Sequence, residues 1–301
     1  MKYIIAVTIL VSSVNLKKTD LGLKLKVGET YSQSYISKNT ITQTINGMEQ
    51  IIKMEITGGM DFLVSEDLGD RYSMSASYSN LIMKMNSPMG EIMFSSKNDG
   101  EDVFSTIMKT IVGKGFIIEM SKDGTISKIE NLDVIFDGMF EPFPELPESQ
   151  KQQILSQLRQ AYGEKSFKGN IEMITAIFPN KEVNVGESWK NSVKLESGMS
   201  GFMNNTFTLT DINSEAIFIE GTSEISTENR DAYIEVNGMP TRYNLTGKMK
   251  TSYKLDPLSN WIVEGTIEQE ISGDVQIKDN PNLPGGMSIP MFMKNDMTVG
   301  Q

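Results

Sequence analysis

The feature that most constrains the fold of this 301-residue chain is a long alternation of apolar and polar side chains in its C-terminal half. Across residues 242–255 the odd-numbered positions are mostly apolar and the even-numbered ones polar, and the same phase returns across residues 261–277. A period of two residues is that of a β-strand with one buried and one solvent-facing side. At ~3.3 Å per residue, the two strands of this hairpin would measure roughly 45–55 Å. Sheet twist accumulates over such a length, so we expect a long, curved antiparallel sheet.

A seven-residue pattern occurs once in each half of the chain. Leu-Lys-Val-Gly-Glu-Thr-Tyr at residues 25–31 returns as Val-Asn-Val-Gly-Glu-Ser-Trp at residues 183–189. Each half also contains an Asn-Gly-Met turn, at 46–48 and 237–239. Glycine provides a tight turn, and the aromatic residue opens a strand and anchors it in the sheet. We interpret the pattern as a structural duplication, with coincidence in a β-rich chain as the alternative; its motif residues are Gly28, Glu29 and Tyr31, and Gly186, Glu187 and Trp189.

The middle of the chain changes to helical spacing. Pro147 and Gly163 are placed to begin and end one helix, and an apolar phase switch near Ser79 predicts a β-bulge in the preceding strands. The expected fold class is therefore α+β: one or more long, curved antiparallel sheets from two pseudo-repeated halves, with amphipathic helices of the central segment packed on the concave side. Apolar residues recur every three or four positions in four segments, at 103–112, 132–140, 154–162 and 167–178.

Four segments are expected along the chain. They are a signal peptide and leader at 1–19, an N-terminal β-rich half with one helix at 20–131, a helical connector at 132–180, and a C-terminal β-rich half at 181–301 with an irregular tail rich in Met, Pro and Gly. A basic residue, a short apolar run and small residues are the layout of a secretory signal, and an apolar first strand is the alternative. Since there is no Cys to carry a lipid anchor, we expect export to the periplasm or the extracellular space without one. No later segment is long and apolar enough to be a transmembrane helix.

Two residue types that carry much of enzyme chemistry are missing, since the chain has no His and no Cys. Their absence excludes Ser–His–Asp and Cys–His catalysis, thiolate metal sites and disulfides. The sequence contains neither a phosphate-binding loop nor a nucleophile elbow, and therefore indicates a protein that is not an enzyme and needs no cofactor or metal. The net charge of −11 argues against nucleic acid as a partner, because phosphate contacts need clustered Lys and Arg.

The segment around the second copy of the seven-residue pattern carries a family resemblance. Residues 178–189 resemble a Phe-Pro…Val-x-Val-Gly-(Asp/Glu)-Ser-Trp motif in an uncharacterised family, a domain of unknown function, of exported bacterial β-rich proteins. Residues 115–124 and the Gln-rich helix are similar too, so the resemblance covers roughly residues 21–277. It implies export and a long antiparallel sheet without implying an activity. More distantly, a curved sheet with helices on its concave side is similar to envelope carriers of lipoproteins and lipids.

Methionine is the one residue type in excess, with 21 residues. Thioethers bind Cu(I), so a Met-only Cu(I) site is one hypothesis, whereas adaptable core or groove lining is the other. A carboxylate-based hydrolase is a further alternative, although the acidic group of Glu264, Glu268 and Glu270 has the phase of a solvated sheet face. Methionines form two clusters in the sequence: Met83, Met85, Met89 and Met93, and Met287, Met291, Met293 and Met297.

The sequence therefore favours an exported, non-enzymatic protein that binds a hydrophobic ligand, a lipid or lipoprotein, in a groove between sheet and helices. The alternative is a structural or adaptor module with a filled core that binds an envelope protein partner. A filled core and a ligand-binding groove share one composition, so the two hypotheses differ in whether the interior has room for a ligand. The residues predicted to contact a ligand are Met83, Met85, Met108, Phe136, Met139 and Phe140.

Overall fold

The computed structural model describes residues 18–88, 90–97, 102–196, 200–236, 238–281 and 283–301. The expected signal peptide lies outside these residues apart from Lys18 and Thr19, as do Met89 and Asn237. Within them are three α-helices, α1 (Val103–Ile111), α2 (Glu148–Tyr162) and α3 (Glu164–Thr175), and a 3-10 helix, Leu132–Phe136. The strands are β1 (Thr30–Ile45), β2 (Met48–Asp67), β3 (Arg71–Ser87), β4 (Gly90–Ser95), β5 (Phe116–Ser121), β6 (Ile126–Glu130), β7 (Ser188–Leu195), β8 (Gly201–Ile212), β9 (Ile217–Thr227), β10 (Ile234–Val236), β11 (Met239–Leu255), β12 (Ile262–Ile277) and β13 (Met287–Gly300).

All the described strands belong to one antiparallel sheet, which confirms the predicted fold class. The strand order is β6-β5-β3-β2-β1-β13-β12-β11-β9-β8-β7, with β4 paired to β3 and β10 to β11. Apart from β4 and β10, which pair off this path, and from β6 and β7 at its two ends, successive strands of the chain lie side by side, and the first strand, β1, pairs with the last, β13. That pairing runs from Ser34 opposite Gly300 to Gln43 opposite Met291. It joins the two halves of the chain in one sheet.

Helix α3 and the residues after it lie between β6 and β7, the two edges of the described sheet. On one side, the Ile126 backbone N–H of β6 donates to Glu172 Oε1 of α3 at 2.7 Å. On the other, Trp189 Nε1 of β7 donates to the Ile177 carbonyl at 2.9 Å. At the β6 edge a backbone group is thereby satisfied by a helix instead of a further strand, and at the β7 edge the contact is made by a side chain. Since one segment binds both edges, the sheet must curve round a shared interior.

The two copies of the seven-residue pattern form equivalent turns. Gly28 and Gly186 have φ angles of 85° and 86°, a left-handed conformation that glycine adopts without steric cost. Their backbone N–H groups donate to the carbonyls of Val64 on β2, at 2.8 Å, and Leu209 on β8, at 2.7 Å. In each copy the following aromatic residue is buried opposite a phenylalanine of the next strand: Tyr31 opposite Phe62, and Trp189 opposite Phe207. The same residue types thus perform the same local task in both halves.

One face of the sheet, called the inner face below, carries the hydrophobic core and receives the helices. Tyr162 of α2 packs edge-on against Tyr78 of β3, with ring centroids 5.8 Å apart. Phe167 of α3 packs in the same way against Phe116 of β5, at 5.0 Å. Side chains alternate between this face and the opposite, outer face along each strand. The core is one continuous cluster to which both halves of the chain contribute.

The β-bulge predicted near Ser79 is confirmed, and the helix expected over residues 132–140 is shorter than predicted. The pairing of β2 with β3 shifts from Gly59–Asn80 to Met60–Tyr78, which leaves Ser79 as the extra residue. The segment 132–140 forms only a short 3-10 helix, and Gly138, with φ of 68°, lies just beyond its end.

The expectation of an irregular C-terminal tail is wrong, because residues 287–300 form β13 in the middle of the sheet. Pro290 suggested an irregular segment, since proline cannot donate to a β-ladder. It lies opposite Asp274 of β12, one position beyond the last residue of β13 that pairs with β1. Proline is tolerated there because the strand has a neighbour on one side only.

Candidate functional site

The inner face contains a partly exposed group of apolar residues on four adjacent strands, β3, β2, β1 and β13. The alternation of each strand points these side chains to the same side, and the Ser79 bulge brings Met83 and Met85 into that phase. Met54 lies directly opposite Met85, and Ile41 lies opposite both Ile52 and Met293. We call this group the methionine face; its members are Ile41, Ile52, Met54, Met83, Met85, Met291 and Met293, all half-buried.

The methionine face begins at the core and extends beyond it. Met83, Met291 and Met293 pack against the core cluster, whereas Met54 and Met85 lie further along their strands. The helices make their main backbone contacts with β3, β4, β6 and β7, and the methionine face stays partly exposed. Methionine side chains are unbranched and polarizable, so they adapt to apolar surfaces of different shape. Contiguous exposed apolar groups of this kind commonly mark interaction sites.

The structure separates the six residues predicted to contact a ligand. Met83 and Met85 belong to the methionine face, whereas Met108 of α1, Phe136 of the 3-10 helix and Met139 just after it are buried in the core. Phe140 is partly buried at the margin of that core and does not join the methionine face. Sequence reasoning missed Met54, Ile41 and Ile52, although a period-two reading of β1 and β2 would have placed them on one side.

The two methionine groups of the sequence are likewise divided. Met93 of β4 pairs with Lys84 and lies on the outer face, while Met89 is outside the described residues. The second group alternates along β13, so its four members, Met287, Met291, Met293 and Met297, all lie on the inner face. The spacing of these methionines is therefore the ordinary two-residue period of a β-strand.

The acidic residues of β12 lie on the outer face opposite basic residues of β11. Glu264 is opposite Lys254, Glu268 opposite Lys250, and Glu270 opposite Lys248. Opposite charges in cross-strand positions stabilise a solvated sheet face. In the described part of the chain, no group of three or more Asp, Glu, His or Cys residues is placed to hold a metal ion.

Five pockets among the described residues lie elsewhere on the molecule and have linings that mix polar and apolar residues. One of 360 Å³ lies over outer-face residues that include Thr206, Thr222 and Thr266. Another, of 820 Å³, lies beside the 3-10 helix and the start of α3, and includes Arg159 and Glu164. None of the five pockets identified among the described residues includes a member of the methionine face or any of the six predicted ligand-contacting residues. The methionine face is thus a partly exposed surface of the sheet.

Comparison with known protein families gives one match. A family of unknown function (DUF6263) matches residues 69–262, a range that includes the segment 178–189 and most of both halves. The chain belongs to this family. The membership agrees with the resemblance to an uncharacterised family and assigns no activity. No curated protein matches the sequence.

Solved structures with weak similarity to this chain include two from Pseudomonas species. An outer membrane channel from Pseudomonas putida F1 is 8% identical, with a TM-score of 0.26, over 92% of this chain and 97% of that one. OccK11 (OpdR) from Pseudomonas aeruginosa is 4% identical, with a TM-score of 0.13, over 93% of this chain and 97% of that one. Neither TM-score indicates a shared fold. In the described residues, no helix has both the length and the apolar character that crossing a bilayer requires.

Proposed function

We propose that this protein is a non-enzymatic binder of a hydrophobic ligand, and that the methionine face is its binding surface. The observation that carries the proposal is the set of seven half-buried apolar side chains aligned on one face of four adjacent strands. Burial of apolar surface is the main driving force for binding such ligands. The adaptable thioethers of Met54, Met85 and Met293 suit a flexible alkyl or acyl chain.

The proposal is tested with full-length protein purified without detergent. Native mass spectrometry is expected to detect co-purifying lipid, and a neutral fluorescent acyl probe should bind and be displaced by unlabelled lipid. The double variant Met85→Gln, Met293→Gln keeps side-chain length but adds polarity, and we expect about a tenfold loss of probe affinity or more. The control variant Lys84→Gln, Lys294→Gln changes the exposed outward neighbours in the same strands and should leave affinity unchanged.

An adaptor module that binds an envelope protein is the second candidate. It is favoured by one specific observation: Met108, Phe136 and Met139 are between 2% and 7% exposed, so these three side chains contact the protein core instead of solvent. A clean apo mass spectrum, together with no binding of the acyl probe, would contradict ligand binding and leave this candidate. Export of the protein is part of both proposals and is tested by cell fractionation and N-terminal sequencing of the mature chain.

A further inference from the structure

A row of uncharged polar side chains crosses the inner face beside the methionine face. The cross-strand register places one such residue opposite the next on successive strands, and only Met249 of β11 interrupts the row. We call this set the amide row; its members are Asn191 of β7, Asn205 of β8, Ser223 of β9, Gln269 of β12, Asn295 of β13 and Asn39 of β1. Four of the six, Asn205, Ser223, Gln269 and Asn295, are at least nine-tenths buried.

The amide row and the methionine face meet at Asn39. On one side Asn39 lies opposite Asn295 of β13, and on the other it lies opposite Met54 of β2, which in turn faces Met85. Asn39 itself is only half-buried, as are Met54 and Met85. A molecule that lies along this row would therefore contact amides with one end and thioethers with the other.

The amides at this junction have hydrogen-bonding groups to spare. The Ser37 hydroxyl donates to Asn295 Oδ1 at 2.8 Å and accepts from Asn39 Nδ2 at 3.0 Å. Within the described chain, Asn39 Oδ1 and Asn295 Nδ2 have no further hydrogen-bond partner. Further along the row, the buried Asn205 Oδ1 and Ser223 Oγ also make no hydrogen bond with described residues. Buried polar groups normally have partners, so the row is suited to receive a polar group of a ligand.

The inner face around the junction carries no charge. No inward position of β1, β11, β12 or β13 holds a charged residue in the paired parts of these strands, and none does in residues 48–64 of β2, whereas Lys38, Glu55 and Lys294 point outward. Burial raises the pKa of the inward-facing Tyr35 and Tyr243, so these phenols stay neutral. An ionised head group buried here would lose its hydration without gaining a counter-charge.

Resting on the proposed function, we infer that the ligand is an uncharged amphiphile. Its alkyl or acyl chain lies on the methionine face, and its hydroxyl, ester or amide head group bonds the junction of the amide row. Asn39 Oδ1 accepts a hydrogen bond from a hydroxyl or amide N–H, and Asn295 Nδ2 donates one to a carbonyl. A monoacylglycerol offers both groups, whereas the carboxylate of a fatty acid offers acceptors and a negative charge.

Competition against the neutral fluorescent acyl probe tests this inference with three competitors that have matched chains: monoolein, oleate and octadecene. At pH 8, monoolein is expected to compete at least about tenfold more strongly than oleate. Equal competition by monoolein and oleate would overturn the inference and leave the methionine face as a hydrophobic binding surface. If none of the three competes and the probe does not bind, the proposed function fails together with the inference.

Two variants assign the preference to the junction. Asn39→Leu should weaken monoolein binding about three- to tenfold, because one hydrogen bond to the head group is lost, and should leave octadecene binding unchanged or stronger. Asn295→Leu should also lower the affinity for monoolein relative to that for octadecene. Thr40→Leu, an outward substitution at the next position of β1, is the matched control. An unchanged ratio in both Asn variants would contradict the assignment even if each variant folds normally.

Discussion

The two glutamates of the repeated turn illustrate how one residue type does similar work through different bonds. Glu29 Oε2 accepts a hydrogen bond from the Tyr31 hydroxyl at 3.1 Å. Glu187 Oε2 accepts from the Asn184 backbone N–H at 2.9 Å, and Lys181 lies 3.4 Å from Oε1. The bond from the Asn184 backbone and the charge of Lys181 lower the pKa of Glu187 from its usual value of 4.5. Its ionised form is therefore part of the folded turn.

At this scale we predict a pH-dependent effect of Glu187→Gln. A carboxylate whose pKa is lower in the folded than in the unfolded state stabilises the protein at pH values above the unfolded pKa, and this contribution is lost as pH falls through the folded pKa. The variant should therefore be less stable than wild type at pH 7, and the difference should shrink as the pH falls below about 4. Urea unfolding of both proteins at pH 7 and below about pH 4 measures this difference in stability. A difference that does not change with pH would contradict the role of the charge.

The sequence predicts the candidate site only at residues whose place in the apolar–polar alternation of a strand can be read locally. Met83 and Met85 follow the phase switch at Ser79, which places them on the inner face with the core residues. Met108, Phe136 and Met139 have the same apolar character and are buried in the core instead. Hydrophobicity does not distinguish a core residue from a binding residue, since the difference lies in what covers the side chain. The amide row depends on the register of seven strands, which no local pattern specifies.

Among the elements, α3 has the most unusual task, because it connects the two edges of the sheet. Glu172 is buried and accepts a hydrogen bond from the backbone of β6, and Lys168 lies 3.3 Å from the same carboxylate oxygen. The sequence predicts a helix here, and the structure places it at Glu164–Thr175. Its position between β6 and β7 could not be predicted, because it results from closure of the whole sheet. Strand lengths and turns, by contrast, follow from local alternation and glycine positions.

We predict that Glu172→Leu weakens the connection between α3 and β6. The substitution leaves the Ile126 N–H buried without its acceptor, which should cost about 1–3 kcal/mol of unfolding free energy. Hydrogen exchange at the Ile126 amide should accelerate more than exchange in β11 and β12. Glu164→Leu, at an exposed position of the same helix, should have little effect on either measurement. Equal effects of the two variants would contradict the edge contact.

For the whole molecule, the central property is that both halves share one sheet and one core. β1 pairs with β13, and buried residues of both halves form a single cluster. The pattern repeated in sequence would equally fit two separate domains, so the single sheet could not be predicted from it. Pairing of the first and last strands also makes contacts of high sequence separation, which form slowly during folding.

Thermal unfolding is therefore expected to occur in one cooperative transition. Calorimetry should give a van't Hoff enthalpy close to the calorimetric enthalpy, because the buried residues of both halves form one cluster. Two resolved transitions would contradict a shared core. A variant with a charge on the inner face at the seam, Met297→Asp, should lower the midpoint of the same single transition, since Met297 is buried opposite Ser37 and Ile267.

The methionine face is the surface on which we propose that an apolar ligand binds. Photolabelling with a neutral acyl probe that carries a diazirine near the chain end tests this most directly, with labelled peptides mapped by mass spectrometry. We predict that labels concentrate on β2, β3 and β13, at or beside Met54, Met85 and Met293, and that excess monoolein suppresses them. Labels concentrated on the outer face, for example around Thr222 and Lys250, or labelling that monoolein does not suppress, would contradict it.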